Sequence, residues 1–193
     1  MKNQNTKPEW KSINRCRFAP PWNEFIVSPV TGLIKLCNYV QKAAVSTSFH
    51  LVEIGSHAGE SASIFSSFDF IKRISCVDPW DWDGPLDLFC YRNKKEIESG
   101  RISMHQTTSE LASKNIREIA PNGIDLVYID GDHSYEEVKK DIKNWKQHIN
   151  KNGFISGHDY LDCWEGVKQA VDEEAKLSKK KVVRFEDGSW ILV

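Results

Sequence analysis

The chain has 193 residues, with 26 Lys and Arg against 27 Asp and Glu for a net charge of −1. That balance excludes the basic footprint of a nucleic-acid or membrane-surface protein, and the length suits one domain on the usual scale of roughly 100–200 residues. Cys16, Cys37, Cys76, Cys90 and Cys163 are scattered without a C-x-x-C pair, which excludes a zinc site or disulfide frame and fits free thiols in a reducing compartment.

No apolar run reaches the ~20 residues of a membrane span, and residues 1–10 show no signal-peptide h-region, so a cytoplasmic location is expected. Residues 1–27 are aromatic and basic without periodicity, and Pro8, Pro20 and Pro21 interrupt them; they are expected to form an N-terminal arm ahead of a single domain over 28–193. Ser28-Pro29 reads as a helix N-cap with proline at the first position, and Val30, Leu33, Ile34, Leu36, Cys37 and Val40 supply that helix's apolar side. Strands are expected at 49–54, 74–78, 101–105, 125–130 and 153–159, alternating with helices at 60–68, 109–119 and 164–175. Between the last two of those strands, Ser134 and Glu137 match a capping box, and Val138, Ile142, Trp145 and Ile149 trace one face of a further helix. Residues 181–186 and 189–193 flank Asp187-Gly188, a hairpin signal. The alternation predicts an α/β protein, a parallel sheet covered by helices on both faces, with an antiparallel strand from the hairpin.

In open α/β sheets ligands bind beyond the carboxyl ends of the strands, so the residues ending each strand carry the functional signal. The first strand ends in Glu53-Ile-Gly55-Ser56-His57-Ala58-Gly59-Glu60-Ser61, where Gly55 and Gly59 would let backbone approach a ligand. Asp78 ends the second, 23 residues after Gly55, the spacing at which nucleotide-binding α/β folds hold a ribose diol. The fourth ends in Asp130-Gly-Asp132-His133 and the fifth in Gly157-His158-Asp159-Tyr160. Asp132 is read as a helix cap. Asp130, His158 and Asp159 are read as functional, because carboxylates and imidazoles at adjacent strand ends are costly to bury without partners and suit a divalent cation or acid–base chemistry.

VEIGSHAGES, VDPW, DLVYIDGDHSYEEV and GHDY together resemble the class I S-adenosylmethionine-dependent methyltransferases, near the macrolide-sugar O-methyltransferases and catechol O-methyltransferase. The resemblance runs from about residue 49 to the end of the chain. It implies a three-layer Rossmann-like fold whose seven-stranded, mostly parallel sheet has an antiparallel last strand. It also implies that Glu53, Gly55 and Ser56, with Gly59 and Ser61 in the same loop, contact the methionine end of the donor, that Asp78 binds the ribose, and that Thr107, Thr108 and Ser109 lie near the adenine. Asp130 would border the donor and, with His158 and Asp159, hold a divalent cation such as magnesium or manganese. His158 stands where metal-dependent relatives carry a carboxylate. His133 falls where catechol enzymes place a catalytic lysine, and an imidazole with an unperturbed pKa of ~6.5 would accept a proton near neutral pH. Asp130 and His133 are therefore the expected catalytic residues.

Residues 79–100 carry Trp80, Trp82, Phe89 and Tyr91 beside Asp81, Asp83 and Asp87 and are expected to form a substrate lid. The function expected is methyl transfer from S-adenosylmethionine to a small-molecule hydroxyl, with metal assistance. The acceptor is then the partner, with room for a homo-oligomer and none for nucleic acid or membrane. Competing readings are a nicotinamide-dependent short-chain-type reductase, which would use Tyr135 and Lys139, a metal-dependent hydrolase, and a non-catalytic binding module.

Overall fold

The computed structural model describes residues 30–44 and 47–193. The expected 1–27 arm and the Ser28-Pro29 helix start lie outside them. In chain order come α1 (Thr31–Ala43), β1 (Phe49–Ile54), α2 (Glu60–Ser66), β2 (Ile71–Asp78), α3 (Pro85–Arg92), α4 (Lys94–Glu98), β3 (Ile102–Gln106) and α5 (Ser109–Lys114). There follow α6 (Ile116–Ile119), β4 (Ile124–Ile129), α7 (Tyr135–Lys146), β5 (Ile149–Gly157), α8 (Glu165–Ser178), β6 (Val182–Arg184) and β7 (Trp190–Leu192).

The strands form one 7-stranded sheet in the order β3-β2-β1-β4-β5-β7-β6. β1 to β5 pair in parallel, and β7 runs antiparallel to both β5 and β6. The order reverses between β1 and β4, so the ligand crevice of such a sheet falls where Ile54 and Ile129 lie side by side. All of β1 is buried because it sits at the centre under helices on both faces. Val52 and Ile54 join Val77, Val127 and Ile129 beneath α5–α8, whereas Phe49 and Leu51 join Ile74, Cys76 and Tyr128 beneath α1–α3. This is the three-layer fold expected from the alternation. Among the described residues no helix is long and apolar enough to cross a membrane.

Several local expectations shift. Ile34 is 39% exposed and leaves the apolar face of α1 to Leu33, Leu36, Cys37 and Val40. The 109–119 helix is two short ones, α5 and α6, which meet at Asn115. Ile149 opens β5 and pairs with Ile124, so the helix expected to include it ends before it and its helical spacing is fortuitous. Ser134 is the N-cap of α7, but its side chain makes no cap hydrogen bond; instead its N–H donates to Asp132 Oδ1 at 2.7 Å, which replaces the capping box and keeps Asp132 as the turn-forming cap.

The Asp187-Gly188 turn does more than reverse the chain. Arg184 pairs with Trp190, leaving a five-residue loop in which Asp187 Oδ1 accepts from Ser189 N at 2.8 Å. Asp187 Oδ2 accepts from Leu33 N at 2.7 Å, so a residue 154 positions away caps the first turn of α1, whose own N-cap makes no side-chain bond. Gly32 is required there, since a Cβ would stand 2.0 Å from Asp187 Oδ1. Asp187→Ala is therefore expected to cost ~1–2 kcal/mol, as loss of a helix cap does, and to lower Tm by several degrees. An unchanged urea midpoint in that variant would refute the tie.

Candidate functional site

The loop between β1 and α2 is shaped by what packs on it. Gly55 has φ +84°, and a Cβ there would lie 2.2 Å from the Asp130 carbonyl oxygen. Gly59 has φ +74°, and its Cβ would meet Asn93 Nδ2 at 2.2 Å and Phe89 at 2.7 Å. Both glycines are thus demanded by close approach of protein to protein, not only by room for a ligand. His57 and Trp80 take left-handed backbone without being glycines, at φ 41° and 42°, a strain on the order of 1 kcal/mol each. One carboxylate holds both: Asp78 Oδ2 accepts from His57 N at 2.9 Å and Oδ1 from Trp80 N at 2.8 Å. Each oxygen keeps further accepting capacity, so Asp78 is oriented by the loop while still able to accept from a diol.

Glu53, at the end of β1, is fully buried. Ser61 Oγ donates to its Oε1, and Cys76 Sγ lies 3.5 Å from Oε2. Burial pushes the Glu53 carboxyl up to about 7, and the nearby Asp130 charge adds to the rise. Ser61 therefore serves Glu53, and Ser56 is buried beside the same loop. After β3, Thr107 N donates to the Asp78 carbonyl at 3.1 Å and Thr108 caps α5. Ser109 donates to Asp141 and accepts from Trp145 Nε1 at 2.8 Å, so its hydroxyl is engaged in packing α5 on α7. Burial raises the Asp141 carboxyl to about 6.

The ends of β4 and β5 bring the acid and imidazole side chains together. Asp159, buried and left-handed at φ 62°, lies between two imidazoles: His133 Nε2 is 2.6 Å from its Oδ2, and His158 Nδ1 is 3.2 Å from its Oδ1. His158 Nδ1 is 3.9 Å from Asp130 Oδ1. The His133 ring stacks on Trp164, centroids 4.2 Å apart at 19°. Burial lowers the affinity of His158 for a proton, but Asp159 and Asp130 outweigh it and raise its pKa to about 9. His133 is raised by the same balance, chiefly through Asp159, which corrects the unperturbed value expected of it. Burial disfavours the Asp159 carboxylate, yet the two imidazoles hold its pKa well below the usual range.

A pocket that stabilises positive charge this strongly fits a divalent cation. Among the described residues, Asp130, His133 and Asp159 each offer a ligand atom, and these atoms lie within 4.8 Å of one another. His133 thus joins the candidate donors because the turn after β4 folds it over Asp159, and the expected donor His158 lies 3.2 Å from Asp159 and 3.9 Å from Asp130. Trp164 was missed from sequence, since nothing local marks it as the partner of a ring 31 residues earlier. Tyr135 and Lys139 are used elsewhere: Tyr135 Oη donates to Glu173 at 2.6 Å and Lys139 bonds both, tying α7 to α8. That overturns the reductase assignment of this pair.

A family model described as a methyltransferase domain matches residues 52–160, more than half of the chain. An uncharacterized protein of Acanthamoeba polyphaga mimivirus is 33% identical over 113 residues, covering 58% of this chain and 51% of the relative, so the chain spans about half that protein's length. An O-methyltransferase from Bacillus cereus, solved with S-adenosylhomocysteine, superposes with a TM-score of 0.65 at 13% identity over 86% of this chain and 80% of that one. CalS11, a TDP-rhamnose 3'-O-methyltransferase of calicheamicin biosynthesis, superposes at 0.63 and 15% identity over 82% and 77%. At such identities the likeness is one of fold. The domain match sets aside the hydrolase and binding-module readings as well.

Glu53 makes the site's electrostatics measurable without a ligand. Its pKa is about 7 when folded against 4.5 ordinarily, so its contribution to stability is full below 4.5 and is lost as pH rises through 7. Between pH 5 and 8 the wild type is expected to lose ~2–3 kcal/mol relative to Glu53→Gln, whose amide still accepts from Ser61. Denaturant unfolding of both proteins across that range checks this; parallel pH curves would refute it.

Proposed function

The chain belongs to the class I S-adenosylmethionine-dependent methyltransferases, and from that premise we propose that it methylates a hydroxyl of a small molecule at the ends of β4 and β5. The observation that carries this reading is the Asp159–His133 pair at 2.6 Å, set beside the Gly55–Asp130 approach that joins it to the donor loop. S-adenosylmethionine, when bound, supplies a sulfonium methyl that is already activated. What remains for the protein is to align an acceptor oxygen and take its proton. Asp159 holds His133 Nε2, which leaves Nδ1 as the ring atom that receives the proton, and Trp164 fixes the ring plane. Asp78, oriented by His57 and Trp80, is placed to accept from the ribose hydroxyls. The oxygen chemistry named for CalS11 and the Bacillus cereus enzyme supports oxygen as the acceptor atom.

Asp130 and Asp159, with His158 Nδ1 3.9 and 3.2 Å from them, would hold a divalent cation, whose charge would lower the acceptor's pKa as a Lewis acid. The 79–100 segment contributes Trp82, 63% exposed and edge-on to His57 at 5.7 Å, as the part of the expected lid free to meet a ligand. Trp80 and Phe89 are buried against each other and are not available for that.

Calorimetry should detect S-adenosylhomocysteine binding to the wild type; its absence would sink the reading. His133→Ala should bind it normally yet release it from S-adenosylmethionine ~10²–10⁴ times more slowly with a panel of sugar and phenol acceptors. Chelation with EDTA is expected to abolish that release, with manganese restoring it; full activity in EDTA would leave the His133–Asp159 pair as sole base. Tryptophan fluorescence should change on S-adenosylhomocysteine addition and change less in Trp82→Phe. Equal responses would make Trp82 a bystander.

A further inference from the structure

Three side chains of the 79–100 segment reach the loop after β1 and take three consecutive main-chain carbonyls. Trp80 Nε1 donates to the His57 oxygen at 2.8 Å, Arg92 Nη1 to Ala58 at 2.7 Å and Asn93 Nδ2 to Gly59 at 3.1 Å. Gly59 N donates to the Ser56 oxygen at 2.8 Å, which closes the turn from within. A trans peptide is planar, so fixing a carbonyl also fixes the N–H of the residue that follows. Holding the oxygens of His57, Ala58 and Gly59 therefore fixes the orientation of every peptide plane from His57 to Glu60. The contacts are specific in shape as well. Asn93 is buried, and its amide occupies the space a Cβ on Gly59 would need. Trp80 is buried against Phe89, which anchors its indole N–H.

We propose that Trp80, Arg92 and Asn93 are positioning residues that clamp the donor loop in its binding conformation, so that the segment following β2 sets the affinity for the donor. This rests on the reading of the 55–61 loop as the donor site. The physical basis is preorganisation: a loop already ordered by the protein has less conformational freedom to lose when a ligand binds. Left unclamped, a turn carrying a left-handed His57 would relax toward less strained backbone and would have to be re-ordered at each binding event.

The test uses Trp80→Phe, which keeps an apolar ring but removes the indole donor, and Arg92→Met, which keeps length but removes the guanidinium. Each is expected to weaken S-adenosylhomocysteine binding about three- to tenfold by calorimetry, the effect of losing one hydrogen bond to a loop carbonyl, with Arg92→Met also losing its exposed ion pair to Glu60. Amide hydrogen exchange over residues 56–61 should speed up in both. Arg92→Lys, which retains a donor for the Ala58 carbonyl, should recover part of the affinity. With a working acceptor, the KM for S-adenosylmethionine should rise while kcat at saturation holds. A merely structural role would lower Tm and leave the dissociation constant alone. Arg92 is only partly buried, so its variants keep the test open should Trp80→Phe fail to fold. Folded variants with wild-type affinity would overturn the clamp and leave the functional reading standing. A wild type that does not bind S-adenosylhomocysteine would remove both.

Discussion

The passage of the β1–α2 loop across the end of β4 is the constraint on which the site depends. The Asp130 carbonyl stands so close to Gly55 that no side chain fits between them, and Asp130 N donates to the Ile54 oxygen at 2.8 Å. A parallel pairing of β1 with β4 at the point where strand order reverses makes this approach unavoidable, because both strands end at one edge. The β1–α2 loop and the acid cluster therefore meet at one backbone contact.

Charge balance follows from that geometry. Glu53, Asp130 and Asp159 are carboxyl groups gathered at adjacent strand ends with little water to solvate them. Glu53 meets the problem by taking up a proton more readily, as burial dictates. Asp159 stays ionised because two imidazoles flank it, and those imidazoles hold their protons the more firmly in return. The pocket's preference for positive charge is thus a property of the fold, which draws Asp130 and Asp159 together with His133 and His158 at two adjacent strand ends.

The segment after β2 changes character once its side chains are placed. Its aromatics suggested a cover over the site, but Trp80 and Phe89 turn inward and the polar groups of Trp80, Arg92 and Asn93 bond the β1–α2 loop. Only Trp82 and Tyr91 face outward, 63% and 71% exposed. One stretch of chain thus both braces the β1–α2 loop and carries exposed aromatic surface.

Sequence alone marked the five parallel strands, though β5 spans Ile149–Gly157 and not 153–159, because short apolar runs closed by Gly, Asp or His are local signals of a buried parallel strand reaching a crevice. That is why Gly55, Asp78, Asp130, His133, His158 and Asp159 could be singled out at or just beyond the strand ends before any of them had a position. Tertiary structure decided which of them meet. The turn after β4, held by Asp132, swings the His133 ring over Asp159 and onto Trp164, while His158 reaches the other oxygen of the same carboxylate. Periodicity cannot see such choices: Ile149 matched a helical spacing yet opens a strand, and Ser134 matched a capping box it does not form. The tie of Asp187 to Leu33 and that of Asn93 to Gly59 span 154 and 34 residues and leave no pattern in the chain between them. Local preference is written residue by residue, whereas a partner is chosen by the packing that brings distant segments within hydrogen-bonding reach.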